Sequence, residues 1–275
     1  MLGHCWGGTK TIPIASPFAS LSAAVSESDS FRCFVKQQIL RHPPSPEQPW
    51  SIILYSDEVT PGNPLTILNK RRFQSIYWSF KEFDTTALSH EETWFVLLTE
   101  YSTCINAFPG GLSQVFAAAI HSFFMPDGLH MMDSGIGLDI DGSSFRIFAK
   151  LGVVLQDGGA HKAVWQARGD GASRFCVLCK NIFTHESNVV LEDGTRLLRS
   201  NQIRLDDLEA SSDTELRNNA RYLERMSTTL THGQFTQLQQ AMGLTYAPHG
   251  VLLDRRLDRV LQPTSVYTHD YMHAV

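Results

Sequence analysis

Three consecutive stretches, Ser51–Val59, Phe73–Phe83 (FQSIYWSFKEF) and Thr93–Thr103 (TWFVLLTEYST), constrain this chain more than any other feature. All are rich in aromatic and β-branched residues, which fit a pleated, half-buried surface. PGNP follows the first, and acidic and polar residues follow the second, so the three predict strands of a meander. The period then changes. In LSQVFAAAIHSFF, Leu112, Val115, Phe116, Ala119, Ile120 and Phe123 recur at helical spacing, which predicts an amphipathic helix with one buried face.

Beyond that helix, Ile136–Ile140 and Phe145–Leu155 flank the turn Asp141-Gly142-Ser143 and read as a hairpin. The second strand is strongly apolar and runs into Asp157, after which GGAHKAVWQARG opens a short helix. Past residue 180 the patterns are helical, around Leu205–Met226, Gly233–Met242 and Val251–Leu261. SDTE at Ser212 and THGQ at Thr231 are capping-box patterns, with Gly243 and Pro263 as stops. Three segments follow from this reading. Residues 1–49 are a loosely ordered leader and a proline-rich linker (RHPPSPEQPW), 50–180 an α/β core, and 181–275 a mainly helical insertion or C-terminal segment.

Composition narrows the function classes. An apolar fraction of 43% and a charged fraction of 19% are those of a soluble globular protein. The net charge of −5 leaves no global basic field, so a polyanion would have to meet local patches or metal ions held by acidic groups. No apolar run approaches the roughly 18 residues of a membrane-spanning helix. The cysteine count of 5 is odd and includes one close pair, which argues against a disulfide framework and for a reducing compartment.

The order of strands, helix and further strand resembles the opening of an RNase H-like domain, whose first and fourth core strands lie side by side. Acids ending those strands would then meet, and here they are Asp57, in YSD, and Asp157. Two close carboxylates repel unless a divalent cation sits between them, and a pair of Mg²⁺ ions roughly 4 Å apart can activate an oxygen for attack at phosphorus. Taken singly, Asp57 also suits a strand-end turn and Asp157 a helix N-cap. Glu58 points to the opposite face of the strand, and His161 follows Asp157 by one helical turn. Cys176 and Cys179 form a CxxC able to supply two thiolates to a tetrahedral Zn²⁺, with a redox pair or two incidental buried cysteines as the other readings. Further ligands would come from histidines, and Asp270-Tyr271-Met272-His273 offers His273.

Together these strings resemble the CACTA/Mirage/Chapaev superfamily of DDE transposases, including EnSpm-like and Plavaka-like elements. The likeness is carried by ILYSDEVTPGNPL, RRFQSIYWSF, FAKLGVVLQDGGAHKAVWQARGD, FCVLC and HDYMH, and covers Trp50 to the C-terminus. It implies an RNase H-like core, with a mixed sheet whose first three strands are antiparallel, interrupted by a helical insertion. Asp57 and Asp157 would match the first two acids of the Mg²⁺- or Mn²⁺-binding triad, Cys176 and Cys179 the thiolate half of a Zn²⁺ site, and His273 part of its imidazole half. The implied activity is phosphodiester hydrolysis and strand transfer on DNA, in the nucleus, with room for a homodimer and no membrane partner. The family's third acid lies beyond the DxxH motif, so a C-terminally truncated core is expected, as an incomplete enzyme or a zinc-containing remnant that binds DNA or protein. Another RNase H-like nuclease is the further reading. Arg71 and Arg72, and the helical stripe of Arg217, Arg221 and Arg225, are the candidate phosphate contacts; a solvated, ion-paired helix face is the other reading of that stripe.

Overall fold

The computed structural model describes residues 2–5, 8–61, 71–125, 128, 130–169, 172–184, 194, 198–199 and 204–269. The chain opens with an antiparallel pair, β1 (Leu2–Cys5) and β2 (Gly8–Thr11), and two helices, α1 (Pro17–Glu27) and α2 (Asp29–Arg41). The meander follows as β3 (Trp50–Val59), β4 (Phe73–Phe80), a one-turn α3 (Asp84–Leu88) and β5 (Phe95–Tyr101). Next come α4 (Ser102–Ile105) and α5 (Gly111–His121), then the hairpin β6 (Ile136–Ile140) and β7 (Ser143–Ile147). Strand β8 (Ala149–Gln156) leads into α6 (Gly158–Trp165). The remainder holds the short parallel pair β9 (Ile182–Phe183) and β10 (Leu198–Arg199), helices α7 (Asp213–Met226) and α8 (His232–Met242), a turn α9 (Pro263–Val266) and β11 (Tyr267–His269).

The main sheet has the order β11-β8-β3-β4-β5. β3, β4 and β5 pair antiparallel, β8 is parallel to β3, and β11 is parallel to β8, so the protein is α/β with a mixed five-stranded sheet. One face of β3, carrying Ile52, Leu54 and Ser56, is wholly buried. Trp78 and Phe80 of β4 share that face, and Trp78 meets Phe123 just past α5 edge to face, with ring centroids 5.2 Å apart. Val115, Phe116, Ala119 and Ile120, the predicted buried stripe of α5, are inaccessible to solvent. Helix α6 packs on α5, fastened where the Ser113 hydroxyl donates to the Val164 carbonyl at 2.7 Å.

Three sequence expectations need correction. The leader is not loose between residues 17 and 41: Phe18, Leu21 and Val25 of α1 and Val35 of α2 are buried in the same core, and Phe31 packs against Phe83 and Phe95. Residues 145–155 are not one strand. The chain breaks at Phe148, whose carbonyl accepts the Trp50 amide at 2.8 Å, so β7 stays in the hairpin while β8 joins the main sheet. Residues 251–261 form turns and a single 3-10 turn rather than an α-helix, because the Asp254 carboxylate caps the Arg256 amide and stops propagation. Thr231 and Gln234 do make a full capping box, and α8 ends on Gly243 at φ 69°, a left-handed position that glycine tolerates.

Replacing Trp78 with alanine should lower stability by about 3–5 kcal/mol through the cavity it leaves, read by urea unfolding at unchanged m. Leu205→Ala, 82% exposed, should change it by no more than about 0.5 kcal/mol. The His121 Nε2 and Asp254 Oδ2 atoms, 2.7 Å apart, tie α5 to the 250s turn. Burial acts to raise the Asp254 carboxyl, but hydrogen bonds from Arg256 and His121 outweigh it and hold the group below the usual carboxylate range. A depressed folded pKa stabilises fully above the unfolded value of about 3.9 and is lost as pH falls through the folded one. Asp254→Asn should therefore flatten the acid limb of a stability–pH profile below about pH 4.

Candidate functional site

The parallel pairing of β3 with β8 brings the two predicted acids to the same end of the sheet. The last paired row is Ser56 opposite Gln156, both fully buried, and the Gln156 amide donates to the Ser56 hydroxyl at 2.8 Å. Asp57 and Asp157 are each the next residue. Neighbouring strands lie about 4.8 Å apart, so the acids emerge side by side from adjacent strand ends. Asp57 continues the antiparallel ladder opposite Ser75 and shares its face with Tyr55, at the rim of an open groove. Glu58 points the other way, accepting hydrogen bonds from Arg72, Gln74 and Ser102 at 2.8–3.2 Å. It holds the strand end together and is not turned toward the acid pair.

Asp157 is also a helix cap. Its Oδ1 accepts the Ala160 amide at 2.6 Å and opens α6. A cap occupies one carboxylate oxygen, so this role and metal ligation are compatible. Hard oxygen donors from two adjacent carboxylates suit Mg²⁺ or Mn²⁺, which take one or two carboxylates and fill remaining positions with water or phosphate oxygens. Among the described residues no group of three or more metal-ligating side chains assembles. His161 is not turned to the acids: it is buried, stacks on Tyr267 at 4.0 Å between ring centroids, and pairs through Nε2 with the Thr268 carbonyl.

Cys176 and Cys179 are half-buried free thiols in an irregular segment. Burial and the neighbouring Cys176 push the Cys179 thiol up to about 11. A redox CxxC commonly opens a helix, whereas this one lies in an irregular segment and its Cys179 thiol is raised rather than lowered. Burial, and to a lesser degree Cys176, also raises the Tyr267 hydroxyl at the start of β11, to about 12. That strand leads into His269 and the DxxH motif. Two sulfurs at this spacing fit half of a Zn²⁺ site. Asp270 and His273 lie outside the described residues.

The basic candidates divide. Arg71 and Arg72 precede β4, at the sheet end where Asp57 lies, and Arg72 pairs with Glu58 at 3.2 Å. The α7 stripe is divided between interior and surface. Arg217 is buried and donates to the Leu261 carbonyl, Arg221 makes a forked pair with Asp258 at 2.7 and 2.9 Å, and Arg225 lies over the Tyr222 ring. Sequence reading missed the aromatic groove beside Asp57. Its signal was alternation on β3, which puts Tyr55 on the Asp57 face.

Separating the cap from the carboxylate pair is straightforward. Asp157→Ala should cost about 0.5–2 kcal/mol of stability and Asp157→Asn only a few tenths, measured by chemical denaturation. Neither family models nor curated proteins match this chain.

Proposed function

We propose that the chain is the RNase H-like core of a DDE transposase of the CACTA/Mirage/Chapaev group, acting on DNA phosphodiesters. One observation carries this reading: the first and fourth strands of the main sheet are parallel neighbours, and an acid stands at the C-terminal end of each. The sheet order supports it, as does the placing of helices α7 and α8 between α6 and β11. The CxxC spacing of Cys176 and Cys179 supports the zinc half of the same reading.

The chemistry is in-line displacement at phosphorus, first by water and then by the freed 3′-hydroxyl. Divalent cations held by Asp57 and Asp157 would neutralise charge on the phosphate and activate the attacking oxygen. The chain's own contribution is positional. The Ala160 amide fixes one Asp157 oxygen, the Ser56–Gln156 row locks the strands, and Arg71 and Arg72 stand at the same sheet end to meet flanking phosphates. Zinc bound by Cys176, Cys179 and the undescribed histidine segment would tie the insertion to the core.

Manganese binding tests the acids without requiring turnover. The protein should bind Mn²⁺ in electron paramagnetic resonance titrations, and Asp57→Asn/Asp157→Asn should abolish binding while staying folded; an unchanged titration would sink the acid pair. Purified protein should contain zinc, and Cys176→Ser/Cys179→Ser should lose it by mass spectrometry. Retention of zinc in that variant would remove the CxxC from the proposal.

A further inference from the structure

The helices α5 and α6 cover one face of the main sheet, and the other face holds an open groove of about 680 Å³. Its lining carries three aromatic rings and three carboxylates: Tyr55, Tyr77 and Trp94 with Asp57, Glu91 and Glu92. Tyr55 and Tyr77 lie across a β3–β4 pair with their rings stacked near parallel, 24° apart with centroids at 6.1 Å. Trp94 stands against Tyr55 at 66° and 6.3 Å and forms a wall. The Trp94 indole N–H is committed to the Leu88 carbonyl at 3.0 Å, so the groove meets its ring. Val96 beside it is 52% exposed, high for an apolar strand residue.

We propose that this groove is a docking site for an arginine side chain presented by an extended basic segment of a partner protein. Among the described residues the lining contains carboxylates but no lysine, arginine or histidine, so its charge complements a cation. A flat guanidinium stacks on aromatic faces and pairs in-plane with carboxylates, so it suits aromatic rings lined up with Glu91 and Glu92 better than a compact ammonium does. The volume exceeds one side chain and accommodates a short stretch of peptide. This function is separate from the proposed catalysis, although Asp57 stands at the boundary of both.

The test uses an acetylated Gly-Gly-Arg-Gly-Gly amide and its lysine and citrulline counterparts, titrated calorimetrically without DNA or divalent cations. The outcome is then independent of the catalytic reading. The arginine peptide should bind, lysine more weakly, and citrulline at least about tenfold more weakly, with affinity falling as salt rises. Glu91→Gln/Glu92→Gln, on an exposed turn where folding is not at stake, should weaken arginine binding about tenfold. Equal binding of citrulline, no effect of the double variant, or no binding at millimolar peptide would each overturn the proposal. So would sedimentation showing a dimer that Val96→Arg dissociates, since a second copy would then be the occupant.

Discussion

The parallel pairing of β3 with β8 is the constraint on which the rest of the structure depends. A parallel pair cannot be closed by a tight turn, so everything between Val59 and Ala149 must travel out and return in the same direction. The chain uses that excursion to lay down β4, β5 and α5, and the return places β8 on the free side of β3. The bulge between Ile52 and Ile53 shifts the register, and the rows beyond it end on Ser56 and Gln156. A shift by one residue would turn one of the two following acids to the opposite face. The juxtaposition of Asp57 and Asp157 is thus a property of backbone register, secured by a buried side-chain hydrogen bond, before it is a property of the acids themselves.

The same connection explains why the two faces of the sheet differ. Crossovers between parallel strands are right-handed, and β3 to β8 to β11 step in one direction across the sheet, so α5 and α6 fall on one side. That side closes over Trp50, Trp78 and Phe80, supplemented by Phe83 and Phe123 and by the N-terminal helices. Tyr55, Tyr77 and Leu155, on alternate positions of the same strands, are left half-exposed. Tyrosine suits such a surface, because its ring packs on the sheet while its hydroxyl stays in contact with solvent or polar groups.

The sequence was legible wherever period and burial coincide. Aromatic and β-branched runs bounded by turn residues located β3, β4 and β5, and the stripe from Leu112 to Phe123 located α5, because each buries one face against a neighbour already implied. It misled where tertiary contacts override local pattern. Val251, Leu252, Leu257 and Leu261 are buried as a helix would bury them, yet Asp254 spends its side chain on caps and on His121, and the segment folds as turns. The leader read as loose because its small residues give little periodic contrast, while Phe18, Leu21 and Val25 find an apolar surface already built by the sheet. Arg217, Arg221 and Arg225 form the stripe their spacing predicts, but spacing does not say which way each side chain turns; Asp258 and the Leu261 carbonyl, remote in sequence, draw in Arg217 and Arg221, while Arg225 stays exposed.

Asp157 shows that the two readings open at the sequence level do not exclude each other. An N-cap and a metal ligand compete only if each needs the whole carboxylate, and the cap needs a single oxygen. Fixing that oxygen on the Ala160 amide restricts the carboxylate's rotamers, an order that any ligand would otherwise have to impose on binding. Asp57 gains its order differently, from backbone pairing with Ser75 in a central strand. One acid is held by a side-chain hydrogen bond and the other by the ladder. The strand end therefore orders each of the two acids independently of the other.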